Sequence, residues 1–208
     1  MAAIAQGRNA NQNVAGGAFP RLRLDNSGAP VISRLFGYSA ARQGQIFHAN
    51  SAVDGVAPGT SIGTTGAFAL FNPDASHKWL VVLEGAVGLV SGTLAAGDTH
   101  WIQHDPGTDI TGTACVARSG RMDFGTAAGQ ATETATVPAG GTLLRTFDAL
   151  TALVDSTAAV PWRLEDKVGG RIIIPPGYAV SIQATAGAGT SPLVVYSVCW
   201  AEVTIPSS

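Results

Sequence analysis

Asp98, His100, His104, Asp105 and Asp109 form the one cluster of metal-type ligands in the sequence. In a strand, residues i and i+4 share a face, so His100 and His104 project to one side with about 13 Å between their α-carbons. That span is too wide for a single ion unless the chain turns between them. The cupin pattern, two histidines one residue apart followed by a glutamate, is not there. The text runs Gly97-Asp-Thr-His-Trp-Ile-Gln-His-Asp-Pro-Gly107, and no glutamate follows until Glu133. These side chains therefore read as solvated or interface polar residues, and neither a metal nor another cofactor is expected.

Other chemistries find no better footing. His48 and His77 are isolated, and nothing beside them nominates a general base. Glu84, Glu133, Glu165 and Glu202 are scattered, without a recognisable acid pair for glycoside hydrolysis. Ser119-Gly120-Arg121 and Thr64-Thr65-Gly66 lack the flanks of a nucleophile elbow. No glycine-rich stretch ends in Lys-Ser or Lys-Thr, so a phosphate loop is missing. Cys115 and Cys199 sit in apolar, strand-like text and read as buried free thiols. Trp79, Trp101, Trp162 and Trp200 have the faces to stack on a sugar, but three of the four lie in expected strands, where core packing is the ordinary role. Arg163-Leu-Glu-Asp-Lys167 is the densest charge run. It reads as loop surface, and Arg163, Glu165, Asp166 and Lys167 are at the same time candidates for an inter-subunit salt-bridge patch. No catalytic residue is assigned, and the chain reads as a non-enzyme.

The elements that hold these residues are strands. Short apolar runs at Gln45 to Ala49, Gly66 to Phe71, Thr99 to Gln103, Thr111 to Arg118, Gly141 to Phe147, Arg171 to Ile174 and Tyr178 to Thr185 are separated by turn residues. The long run Lys78 to Val90 places Trp79, Val81, Leu83, Val87 and Leu89 on one parity, and apolar residues on the other make it covered on both faces in part. In the closing run, Leu193 to Ile205, Val195, Cys199 and Val203 face one way. Val194, Tyr196, Val198, Trp200 and Glu202 face the other. Pro175-Pro176-Gly177 is a structural turn, with proline setting φ at one corner and glycine free to take a positive φ. Thr146 to Val154 has spacing for one or two helical turns. Long helices suited to βαβ crossovers are missing, so the expected fold is all-β: a jelly-roll-like, two-sheet antiparallel sandwich over residues 21–208. Residues 1–20 are small, polar and aperiodic and read as a flexible arm, with Ile4 and Phe19 as its apolar anchors on a neighbouring subunit.

Composition removes whole classes of function. The 208 residues carry a net charge of −2, and only 12% are charged, about half the usual share. No basic excess is present to track a nucleic-acid backbone, and no charge block to bind a membrane surface. The longest apolar runs fall far short of the ~18 residues of a membrane span. No apolar stretch near Met1 reads as a secretory signal, so cytoplasmic synthesis is expected. With 26 glycines and 34 alanines, the surface suits cover by neighbours more than exposure on all sides.

Three stretches carry a resemblance. They are Lys78-Trp-Leu-Val-Val-Leu-Glu-Gly-Ala-Val-Gly-Leu-Val-Ser-Gly-Thr-Leu-Ala-Ala-Gly97, Ile173-Ile-Pro-Pro-Gly-Tyr-Ala-Val-Ser-Ile-Gln-Ala-Thr-Ala186 and Val194-Val-Tyr-Ser-Val-Cys-Trp-Ala-Glu-Val203. Together, over about a third of the chain, they resemble virion proteins of tailed bacteriophages, among them head decoration (cement) proteins and other trimeric jelly rolls of the particle surface. The resemblance implies a homotrimer on the virion surface, bound to the major capsid protein or other virion proteins, and transfers no catalytic residues. A tail, portal-vertex or fibre-associated position is the alternative within that class. A carbohydrate-binding β-sandwich that takes a host glycan is the alternative outside it.

Overall fold

A computed structural model of the chain describes residues 40–94, 97–106, 110–138, 141–150, 163–186 and 189–204. The arm boundary expected at Pro20, and with it Ile4 and Phe19, lies outside these residues. Twelve strands are described: β1 (Ile46–Asn50), β2 (Thr65–Phe71), β3 (Lys78–Ser91), β4 (Gly97–His104), β5 (Thr111–Cys115), β6 (Arg118–Ser119), β7 (Gln130–Thr136), β8 (Thr142–Leu150), β9 (Arg163–Asp166), β10 (Ile172–Ile174), β11 (Ala179–Ala186) and β12 (Leu193–Thr204). They form two antiparallel sheets. The first has the order β10-β3-β12-β1-β6, with β9 also on β3, and the second β5-β7-β2-β11-β4-β8.

The pairing is nested. β1 pairs β12, β2 pairs β11, β3 pairs β9 and β10, and β4 pairs β8. Successive pairs alternate between sheets, which is a long antiparallel ribbon rolled up on itself, the jelly roll expected from the strand spacing. The strands β5, β6 and β7 are an excursion between β4 and β8. They add β7 and β5 beside β2 in the second sheet and β6 beside β1 in the first.

Leu80, Val82, Phe68, Leu70, Val180, Ile182, Val194, Tyr196 and Val198 fill the space between the sheets with almost no exposure. Each such side chain contributes about 1.5–3 kcal/mol by leaving water. Tyr196 of the first sheet stacks on Phe68 of the second with centroids 6.1 Å apart. β12 alternates as expected, with Val194, Tyr196, Val198, Trp200 and Glu202 all inside.

β3 departs from its expected single parity. Leu80 and Val82 are buried in the core while Trp79 is 40% exposed, yet Val87 further along is buried too. The cause is a bulge: Glu84 opposes Cys199 and Val82 opposes Trp200, which leaves Leu83 as the extra residue. One additional residue switches the side chains to the other face. Trp79, Val81 and Leu83 therefore lie outside, and Val87 and Leu89 inside.

Two further expectations change. The helical turns proposed at Thr146 to Val154 give way to strand: residues 146–150 belong to β8, because pairing with β4 outweighs a weak local pattern. Residues 151–154 lie outside the described set. The charge run at Arg163 is strand β9, not loop, with Arg163 and Glu165 outward and Asp166 inward at 5% exposure. Asp166 accepts from Trp101 Nε1 at 2.9 Å and from Arg145 Nη2 at 2.8 Å. It therefore ties β9 of one sheet to β4 and β8 of the other and is not a surface group. β7 has no large apolar residue, so its alternating threonines were the one signal for it.

The segment Pro175-Pro176-Gly177 closes with Tyr178 N–H donating to Pro175 O at 3.2 Å, and Gly177 has φ 82°. A β-carbon on Gly177 would collide with the Asp74 carboxylate. Gly177→Val is expected to lower the melting temperature through both strain and collision; an unchanged melting curve would count against this account. For Asp166→Ala, which strands a partly buried guanidinium and an indole N–H, we expect a loss of about 3 kcal/mol. In a chain of this length that reads as a fall of roughly 6–12 °C by calorimetry.

Candidate functional site

The outer faces of the two sheets differ in chemistry. On the second sheet, β4 presents His100 and His104, and β11 presents Ser181, Gln183 and Thr185. His100, His104, Ser181 and Gln183 are at least nine-tenths buried. His100 lies between two hydroxyls, Thr146 Oγ1 at Nδ1 and Thr185 Oγ1 at Nε2, each at 3.1 Å. Gln183 accepts from Gly63 N–H at 2.9 Å, which orients its amide to donate to Ser181 Oγ at 2.9 Å. Ser181 Oγ is in turn 2.7 Å from His104 Nε2.

This chain of contacts holds the residue 58–64 connection against the sheet. Ser181 and His104 sit at hydroxyl–imidazole distance, but Ser181 is completely buried and Gly141 packs on the His104 ring, so no substrate carbonyl can approach the hydroxyl. Within the cluster read as solvated or interface polar residues, His100 and His104 share a face but are buried, each engaged by hydroxyls. Asp109 lies outside the described residues, and among those described no three ligating side chains converge on a metal position.

Burial holds the His104 imidazole below its ordinary pKa of 6.5, against smaller upward pushes from the Pro138 carbonyl and Asp105. Its Nδ1 has no hydrogen-bond partner of good geometry. Burial also pushes the Cys115 and Cys199 thiols up to about 11, so both are protonated at neutral pH and neither is an activated nucleophile. Glu84 adds to the rise at Cys199 and Glu133 to that at Cys115.

Toward one end, the exterior of the first sheet is apolar. Ile173, Val81, Ala201 and Ile46 stand in one cross-strand row over β10, β3, β12 and β1. Trp79 and Val203 form the neighbouring row, with Leu83 and Cys199 on the other side. Ala40 packs on Ile46 and Ala201, while Trp79, Ile173 and Val203 remain 38–51% exposed. A contiguous apolar patch on a sheet exterior marks a contact surface. Sequence parity alone missed it, because the bulge in β3 decides which residues are outside.

The charge run borders this face. Arg163 contacts Glu84 at 3.4 Å and Glu165 at 3.1 Å, and Lys167 contacts Glu165 at 3.3 Å. Such exposed pairs are worth at most about 1 kcal/mol each. Trp101 and Trp200 are core residues, Trp162 lies outside the described set, and Trp79 is set among aliphatic neighbours.

Because His104 is held neutral in the fold but titrates normally when unfolded, the unfolded chain binds the extra proton first as pH falls. Stability is expected to be full above pH 6.5, to decline as pH falls through that value, and to level off below the lowered folded pKa. His104→Asn should flatten this decline in urea midpoints taken from pH 7.5 to 5. An equally steep decline in that variant would remove His104 as its source.

Among the described residues no helix is long and apolar enough to cross a membrane. No protein-family model matches the chain, and no curated protein matches it.

Proposed function

We propose that this chain is a non-enzymatic structural component of a bacteriophage particle, most specifically a capsid decoration or cement protein that bridges major capsid subunits as a homotrimer. The observation that carries the reading is the group of exposed apolar side chains, Trp79, Ile173 and Val203, on the exterior of a jelly-roll sheet. A rigid β body with an adhesive face suits a protein whose task is contact. Sequence resemblance to phage virion proteins supplies the setting.

The mechanism is mass action. A subunit that binds only the assembled shell stabilises that shell, and many moderate contacts repeated by symmetry suffice. A net charge of −2 lets many copies crowd on one particle with little mutual repulsion. The amino-terminal residues, with Ile4 and Phe19 as anchors, extend the reach: twenty extended residues span on the order of 60 Å. Tail or vertex placement uses the same chemistry and is the alternative. Host-glycan binding is less favoured, since Trp79 stands among Val81, Val203 and Ile173 rather than beside polar side chains that would hold sugar hydroxyls.

Particles made without this protein are expected to lose packaged DNA at a lower temperature than complete particles. Quantitative mass spectrometry of purified virions should find hundreds of copies. Heads that remain intact but cannot adsorb or inject, with about a dozen copies per particle, would replace the cement reading with the tail one.

A further inference from the structure

The buried hydrogen-bond chain on the outer face of the second sheet runs in one direction only. Gly63 N–H donates to Gln183 Oε1 at 2.9 Å, which leaves Gln183 Nε2 donating to Ser181 Oγ at 2.9 Å. Ser181 therefore gives its own hydroxyl proton to the remaining neighbour, His104 Nε2 at 2.7 Å. His104 Nε2 is then an acceptor, and the imidazole proton sits on Nδ1. Ser181, Gln183 and His104 are each no more than 1% exposed, so solvent does not reach them to replace a lost bond.

His100, four residues earlier on β4, is different. Its partners are the hydroxyls of Thr146 and Thr185, and each of these can turn to accept from a protonated ring. His104 lacks that freedom. A proton on its Nε2 sets two hydrogens between the ring and Ser181 Oγ. Ser181 must then leave its hydroxyl hydrogen unpaired in a buried place, or Gln183 must turn its amide over. Turning it puts Nε2 2.9 Å from Gly63 N, donor against donor, and Oε1 3.3 Å from Gly63 O, acceptor against acceptor. Gly63 depends on this hold. A β-carbon there would meet nothing within 4 Å, and residues 59–65 are exposed, so hydrogen bonds and not packing keep the segment down. Its ends are fastened separately: Tyr196 Oη donates to Pro58 O at 3.5 Å, and Val137 N–H to Thr64 O at 2.8 Å.

We infer that His104, Ser181 and Gln183 form a proton-operated latch, which holds residues 59–63 to the second sheet at neutral pH and releases them in mild acid. The groups around His104 leave the ring as the proton's site. On β4 the titratable neighbours are Asp105 and His100. β11 brings Ser181 and Gln183, and β2 brings Ala69 opposite Ser181. The β7–β8 connection brings the Pro138 carbonyl and Gly141, and the residue 58–64 connection has no charged side chain. Arg145 of β8 is turned to Asp166 in the core. Burial holds the closed latch's imidazole below its ordinary pKa of 6.5, against smaller upward pushes from Pro138 and Asp105. The released state, with Gln183 free to turn, accepts the proton more readily. Its population therefore rises as pH falls through 6.5, by up to about tenfold per pH unit, and stops rising below the lowered pKa of the closed latch. The segment set free carries Ile62, an apolar side chain already 38% exposed.

The latch goes beyond the structural role and does not rest on it. Hydrogen exchange of the full chain, read by mass spectrometry with fragment resolution at pH 7.5, 6.5 and 5.5 and corrected for the intrinsic pH dependence, tests it at the Gly63 amide. Protection at Gly63 should fall about tenfold between pH 7.5 and 5.5, while the β11 amides from Val180 to Ala184 keep theirs. Ser181→Ala leaves Gln183 on Gly63 and His104 free to titrate but cuts the link between them, so the acid loss at Gly63 should disappear. His104→Gln, whose amide oxygen can take the place of Nε2 without binding a proton, should abolish it as well. His100→Gln should leave it in place. Circular dichroism at each pH checks that the variants are folded, and the wild-type measurement decides the release by itself. Unchanged Gly63 protection in the wild type, simultaneous opening of β11, or an acid loss that persists in folded Ser181→Ala overturns the latch.

Discussion

The packing of Trp101 between the sheets is the constraint around which the described structure is organised. Its indole stacks on Phe147 at 4.9 Å, and a β-carbon on Gly85 of the facing sheet would overlap both rings. The indole N–H then needs a partner in a place that water does not reach. Asp166 supplies it, and Arg145 neutralises the carboxylate. Because Asp166 opposes Gly85 in the β3–β9 pairing, the small residue and the acid act on the same indole from neighbouring strands. A buried carboxylate without these two partners would cost several kcal/mol, so the group forms as a unit or fails as one.

A second indole and acid repeat the arrangement within the first sheet. Glu202, 3% exposed, takes Lys78 Nζ at 2.7 Å and the backbone N–H groups of Ala128 and Gly129 at 2.7 and 3.0 Å, with Trp200 Nε1 at 3.4 Å. This ties the connection leading into β7 to β12, and so fastens the β5–β7 excursion across one side of the sandwich. Each indole thus has a carboxylate, and each carboxylate a cation at its other oxygen. Both groups join strands far apart in sequence, so they stabilise the rolled topology itself.

What the sheets leave open follows from how their edges end. β6, β9 and β10 have two to four residues, β5 is irregular at Gly112, and β8 carries two register shifts. Short or bulged edges resist strand addition. What the edges do not offer, the faces do: the first sheet's exterior keeps Trp79, Ile173 and Val203 partly exposed. On the exterior of the second sheet, His100, His104, Ser181 and Gln183 are buried in their own network.

Much of the fold was legible locally. Alternation in β12, the turn residues at Asn72-Pro73-Asp74 and Pro175-Pro176-Gly177, and the lack of long helices led to an all-β jelly roll, because period and punctuation act over a few residues. Residues whose roles depend on distant partners were not legible. Asp166 reads as one more charge in Arg163-Leu-Glu-Asp-Lys167, and only the pairing of β9 with β3 turns it inward to Trp101. Ser181 and Gln183 look like ordinary polar strand residues until His104 and Gly63 arrive from elsewhere in the chain. Even in β3, where the apolar pattern was plain, a single extra residue at Leu83 decided which side chains of each half face the core and which form the exterior. Sequence by itself determined the kind of element and the class of fold through local periodicity. Tertiary structure decided inside from outside, because that choice depends on register with neighbouring strands.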